Sequence, residues 1–304
     1  MKYRPLVPAF ALGLGLFHSA GCVVAVDSHS EIVREEKRFT VQGTPDLRVA
    51  TFDGSIQIQA WDKPGVLVEI EKRGPSKEAV DALQVVVEQK GDVIDLEVKP
   101  PKSESFSGIG LHHSAYARLV VSVPRSANIR ARSGDGSITI DRVSGRIDLR
   151  TSDGTIRASE VAGEMTFDTS DGSVVVEGAE GQLVVETGDG SVNVTGKLGA
   201  VKLHTGDGAV VYRADPGSTM TNPWDITTGD GSVTLYLPRD FGADVDAHTG
   251  DGRITSDLGE PLEKTDSDRE RRERDRRTLR GPIGAGGQLL RVRTGDGAIR
   301  LKLN

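Results

Sequence analysis

The dipeptide Asp-Gly begins at positions 135, 153, 171, 189 and 207, each eighteen residues after the last. A period kept that strictly constrains the fold before any local propensity does, because each unit must bury its apolar face against the next. Aligned on the aspartate, the units read DGSITIDRVSGRIDLRTS, DGTIRASEVAGEMTFDTS, DGSVVVEGAEGQLVVETG and DGSVNVTGKLGAVKLHTG. Apolar residues fill the fourth column (Ile138, Ile156, Val174, Val192) and the sixth (Ile140, Ala158, Val176, Val194). They fill the thirteenth (Ile147, Met165, Leu183, Val201) and the fifteenth (Leu149, Phe167, Val185, Leu203) as well. The eleventh column is glycine (Gly145, Gly163, Gly181, Gly199) and the seventeenth is threonine (Thr151, Thr169, Thr187, Thr205). Alternation with period two means strand with one buried face. Each unit therefore holds two short strands, separated by a turn at Asp-Gly and another at the eleventh glycine. Antiparallel hairpins would also put Asp-Gly between alternating runs, yet they need no constant spacing, whereas stacked coils do. The reading is an all-β chain, a β-solenoid or β-helix of tandem 18-residue two-strand repeats, with a repeated-hairpin sandwich as its rival.

Composition supports this. Glycine accounts for 37 of 304 residues, while apolar residues are 36% and aromatics 4%. A helical enzyme with a large aromatic core does not fit those numbers. Glycine-punctuated β structure does, since tight turns draw on glycine's backbone freedom. The net charge of −7 gives no electrostatic footprint for nucleic acid, so no nucleic-acid partner is expected.

Outside the strict repeat, further Asp-Gly pairs begin at 53, 230, 251 and 296. Residues 35–130 read as a less regular, β-rich N-terminal part of the solenoid, suited to capping one end. In it Ser76 caps a short helix, Lys77 to Leu83. Strands near 84–89 and 93–98 meet at a Lys90-Gly91 turn, Lys99 to His113 is a mobile loop, and Ala117 to Pro124 is a strand. Residues 131–304 are the repeat solenoid proper. A charged insertion at 263–280, with eight basic and six acidic residues, interrupts it near its last coil. That insertion reads as a solvated loop or frayed helix, or as an arm for an anionic partner.

Residues 1–21 read as a signal peptide and 22–34 as a flexible tether. Lys2 and Arg4 are followed by the apolar run Ala9 to Phe17, too short to span a bilayer, and then by Ser19, Ala20, Gly21 and Cys22. This resembles a bacterial lipoprotein signal, which implies cleavage before Cys22, lipidation of that cysteine and anchorage to envelope lipid. The alternative is plain secretory cleavage after Ala25, giving a secreted or periplasmic soluble protein. Cys22 is the only cysteine, so disulfides within the chain and Cys-based metal sites are ruled out.

The opening Thr51-Phe52-Asp53-Gly54-Ser55-Ile56-Gln57-Ile58, Trp61-Asp62 after it, and Ser122-Val123-Pro124 at a strand end carry a resemblance. So do the tandem T-G-D-G repeats, Trp224-Asp225-Ile226 followed by Leu235-Tyr236-Leu237-Pro238, and the closing RTGDGAIRL. Together they are similar to a bacterial β-strand-repeat family of candidate adhesins, a domain of unknown function. The resemblance implies an exported, mostly β-helical protein, and it brings no catalytic residues.

Stacking would set Asp135, Asp153, Asp171, Asp189 and Asp207 in one file, about 4.8 Å per coil. Turn chemistry explains them, the carboxylate accepting a backbone N–H two residues on and glycine supplying positive φ. A calcium ladder is the sharper reading, making the chain a calcium-dependent β-roll, but each coil offers one acidic turn where such rolls use two. Another alternative is a carbohydrate-active β-helix enzyme on an acidic polysaccharide. Against it, catalysis needs two carboxylates made different by environment, and equivalent aspartates provide sameness. His204 and His248 each precede T-G-D-G and read as a solvated face, not a zinc pair; His112 and His113 fall in a loop. The preferred reading is a non-enzymatic cell-envelope protein presenting a repetitive surface to a surface glycan or protein partner, without a cofactor. Tyr212, Trp224 and Tyr236 are the candidate ligand contacts, with Trp61 and Trp224 equally suited to plugging the core where the coil is irregular.

Overall fold

In the computed structural model, which describes residues 31–100, 115–258 and 277–304, the alternation read from the sequence reappears as burial. Ile138 and Ile140 are buried with Thr139 turned outward, and Ile147 and Leu149 are buried with Asp148 outward. The N-terminal part supplies β1 (Glu31–Phe39), β2 (Asp46–Thr51), β3 (Ile56–Trp61), β4 (Val66–Gly74), helix α1 (Lys77–Asp81), β5 (Gln84–Lys90), β6 (Val93–Lys99) and β7 (Tyr116–Pro124). The regular repeat supplies β8 (Asn128–Ser133), β9 (Ile138–Asp141), β10 (Ser144–Thr151), β11 (Ile156–Ser159), β12 (Ala162–Thr169), β13 (Val174–Thr187) and β14 (Val192–Thr205). After it come β15 (Val210–Ala214), β16 (Trp224–Thr228), β17 (Val233–Leu237), β18 (Ala243–Thr249), β19 (Ile254–Ser256), β20 (Thr278–Ile283), β21 (Leu289–Thr294) and β22 (Ile299–Leu303).

The units stack in parallel, one rung per repeat. Ile138 pairs with Ile156, Ile156 with Val174, Val174 with Val192 and Val192 with Val210. On the other side Ile147 pairs with Met165, Met165 with Leu183 and Leu183 with Val201. The chain is thus a flattened β-solenoid of two facing sheets, and the hairpin sandwich is excluded. The first sheet runs β5, β6, β2, β8, β10, β12, the second halves of β13 and β14, then β16, β21, β18 and β20. The second runs β1, β4, β7, β3, β9, β11, the first halves of β13 and β14, then β15, β17, β22 and β19. Between them lies one continuous core of Ile, Val, Leu, Met and Phe from every rung. Apolar burial per rung is small, so rungs hold together only as a stack.

Sequence order and spatial order part at both ends. The rung β2–β3 lies between the rung β6–β7 and the rung β8–β9. Likewise the closing strands β21 and β22 slot between β16–β17 and β18–β19. The coil that is last in sequence is therefore not last in space. Antiparallel strands close the stack: β5 on β6, β4 on β7 with β1 on β4, and β20 on β18. Glu31 to Arg34, expected within a flexible tether, pair with Gly74 to Glu71 instead, because the edge of β4 offers them a ladder. The short helix begins as expected, with the Ser76 hydroxyl accepting from the Ala79 N–H, but ends at Asp81 instead of running to Leu83. The signal peptide, Cys22, most of the 99–113 loop including His112 and His113, and 263–276 lie outside the described residues.

Each Asp-Gly turn rests on the turn below it. A Cβ on Gly172 would overlap the carbonyl oxygen of Gly154, and one on Gly190 that of Gly172. Among the glycines of these pairs only Gly54 has positive φ, +113°. Glycine is thus required by close stacking, not by the backbone conformation expected from the sequence. The buried threonine column fastens the stack. The Thr205 hydroxyl donates to the carbonyl of Gly190 at 2.8 Å and accepts the Gly208 N–H at 3.2 Å; Thr228 repeats the pattern one rung on and Thr294 two rungs on. This hydroxyl accepts the N–H of the glycine that follows the aspartate, three residues after the threonine itself. At the opposite corner Arg142 (φ 57°), Glu160 (φ 50°) and Gly178 (φ 64°) share the left-handed conformation. The eleventh-column glycines 145, 163 and 181 have φ of 148°, 114° and 112°. Gly199 breaks that column: β14 shifts register against β13, and Gly196 (φ 155°) takes the corner.

Candidate functional site

Three outer surfaces result: the Asp-Gly edge and the outer side of each sheet. Asp135, Asp153, Asp171, Asp189 and Asp207 are all exposed on the edge. The Asp171 N–H donates to the Ser152 carbonyl at 3.1 Å and the Asp189 N–H to the Ser170 carbonyl at 3.2 Å, so the file climbs one rung at a time. Like charges so spaced are tolerable because water screens them. Among the described residues no group of three or more His, Cys, Asp or Glu is placed to hold a metal ion.

Two of the three expected contact residues are interior. Tyr212 and Trp224 are fully buried, both 0% exposed. They stack with Phe241, ring centroids 5.1 Å apart for Tyr212–Trp224 and 5.0 Å for Trp224–Phe241. The Trp224 indole N–H donates to the Gly199 carbonyl at 3.3 Å. The aromatics fill the core where the coil is enlarged by residues 215–223, so they meet no surface ligand. Burial pushes the Tyr212 hydroxyl well above the usual tyrosine range.

Tyr236 faces outward on β17. Arg213 on β15 lies 3.9 Å over its ring and the Lys302 ammonium on β22 5.6 Å from it, an aromatic held between cations of neighbouring rungs. On the first sheet, burial would raise the Asp246 carboxyl, but hydrogen bonds from Arg293 and Arg280 hold it below the usual range. This carboxylate ties β18 to both β21 and β20. His204 and His248 share a file and are both exposed, with β16 and β21 between their strands. Among the described residues no helix is long and apolar enough to cross a membrane.

A family model described as Toastrack DUF4097 matches residues 45–302. The chain belongs to the Toastrack DUF4097 family. The match takes in every stacked rung of this Toastrack chain and leaves out β1. No curated protein matches the sequence. Three solved structures are similar along most of its length. A candidate cell adhesion protein of Clostridium sporogenes is 14% identical, covering 90% of this chain and 100% of its own, with a TM-score of 0.26. A candidate adhesin of Bacteroides fragilis is 11% identical over 89% of this chain and 96% of its own, at 0.34. A candidate lipid binding protein of Parabacteroides distasonis is 11% identical over 88% and 96%, at 0.36. These TM-scores are too low for the likeness to say more about the Toastrack chain than its family does.

Proposed function

We propose that the protein is an exported, non-enzymatic rod of the cell envelope, held to lipid through Cys22 and displaying its outer faces to a surface glycan or protein partner. The observation that carries this is the register of the stack: outward side chains of successive rungs fall in files about 4.8 Å apart along both sheets. Such files offer an extended partner many equivalent footholds. The signal-like sequence before Cys22 supports cleavage there, with 22–30 left as a tether to β1.

Fatty-acid labelling and intact mass of the wild type against Cys22→Ala test the anchor. Label on the wild type alone is expected; an unlipidated protein beginning at Val26 would overturn it. A glycan screen with product detection tests the display role. Retention without chain shortening is expected, and turnover abolished by Asp171→Asn or Asp189→Asn would show an enzyme instead.

A further inference from the structure

Most cations on the outer faces are engaged by carboxylates. Arg34 pairs with Glu71, Arg130 and Arg150 with Asp148, Arg146 with Glu164, and Arg280 and Arg293 with Asp246. On the second sheet Arg118 of β7 and Arg157 of β11 also lack a carboxylate in ion-pair range among the described residues, and on its last rungs such cations gather. Arg213, Arg300 and Lys302 face outward on β15 and β22, and Arg253 immediately precedes β19. None of the four has a carboxylate in ion-pair range among the described residues. Arg253, Thr255, Ala298, Arg300 and Arg277 line a cleft of about 530 Å³. Its acidic residue, Asp251, is paired with Arg277 at 3.2 Å, and Asp257 borders the patch beside Lys302, its N–H on the Leu301 carbonyl.

We propose that this face binds a linear, carboxylate-bearing polyanion of the acidic-glycan class, through Arg213, Arg253, Arg300 and Lys302. The proposal deepens the display reading above and rests on it. Guanidinium forks match carboxylates in a bidentate way. Arg213 is positioned for this: its guanidinium carbon lies 3.9 Å over the Tyr236 ring, and one nitrogen donates to the Asn304 side-chain oxygen at 2.6 Å, two contacts that restrain it on an exposed face. Arg213 and Lys302 stand two rungs apart, about 10 Å, and Arg300 about 7 Å from Lys302 along one strand. Cations spread so widely over an open surface suit a polymer; one small anion would reach two of them at most. Single-stranded nucleic acid needs aromatic faces free for stacking, and both neighbours of Tyr236 in its file are cations. Lipid head groups are disfavoured by position, since these rungs are at the end of the stack opposite β1, which leads back to Cys22.

The test is retention of the full chain on polygalacturonate, with Arg300→Gln/Lys302→Gln against Arg157→Gln, an exposed arginine of the same sheet on β11. Charge removal at the patch should weaken binding about tenfold or more, with Arg157→Gln within about twofold and all melting temperatures alike. Arg300→Lys, which keeps the charge and loses the fork, should fall between. Undiminished binding by the double variant, or equal retention on the fully esterified, uncharged polymer, would overturn the proposal. Tighter binding to anionic phosphatidylglycerol vesicles or single-stranded DNA would overturn the glycan assignment. Polymer that binds at the patch but is shortened during incubation would sink the display reading and leave the patch; failure to bind sinks the patch alone.

Discussion

Gly172 and Gly91 are both turn glycines, but for different physical reasons, and substitution separates them. A Cβ on Gly172 has nowhere to go but into the Gly154 carbonyl, so Gly172→Ala must push two rungs apart. A loss of about 3 kcal/mol is expected in denaturant unfolding. Gly91 has φ 63° with nothing near its Cβ position, so Gly91→Ala should cost only the left-handed backbone, about 1 kcal/mol. Thr205, 0% exposed, bridges two stacked turns with one hydroxyl. Thr205→Val keeps its shape, removes the bridge and should cost about 2 kcal/mol by the same measurement. The columns of glycine and threonine are legible in the sequence; their role in joining rungs is not, because the carbonyl each threonine grips, and each glycine faces, belongs to the neighbouring rung.

Among the elements, β18 is the one whose two neighbours share a single carboxylate. It joins β21 on one side and β20 on the other, and Asp246 fastens both. The Asp246 carboxyl titrates lower in the fold than when unfolded. It therefore adds stability above its unfolded pKa, about 3.9, and the contribution is lost as pH falls through the lower folded value. In acid, amide exchange should rise first in β18 and β20, and Asp246→Asn should abolish that pH dependence while costing about 2 kcal/mol at neutral pH. Removing residues 289–304 empties the slot between β17 and β19. Amide exchange on that shortened chain should show protection lost over 243–256 and retained over 138–214. The strand pattern of β21 and β22 is plain from the closing RTGDGAIRL, yet their slot is not, because every rung presents the same edges and local sequence does not say which neighbour a rung takes.

As a whole molecule, the rod places its charges unevenly: an aspartate file along the turn edge, and a cationic patch at the end remote from β1. The aspartates stand one to a rung, so a chelator should leave the melting temperature unchanged; a sharp drop would mean that the file holds cations after all. The eighteen-residue period by itself determined the all-β class, the inward columns and the turn positions and favoured stacked rungs, since stacking in register buries every apolar face at once; that the rungs pair in parallel rather than as hairpins was decided by the tertiary structure. It also marked Tyr212 and Trp224 as exceptional without revealing that they fill the core, because large aromatics serve a widened interior and an open surface equally well. The order of the end rungs, the antiparallel caps and the gathering of Arg213, Arg253, Arg300 and Lys302 were decided by tertiary structure alone. Those residues are up to 89 positions apart, and they meet only because the closing strands of the chain return to fill a gap between rungs laid down before them.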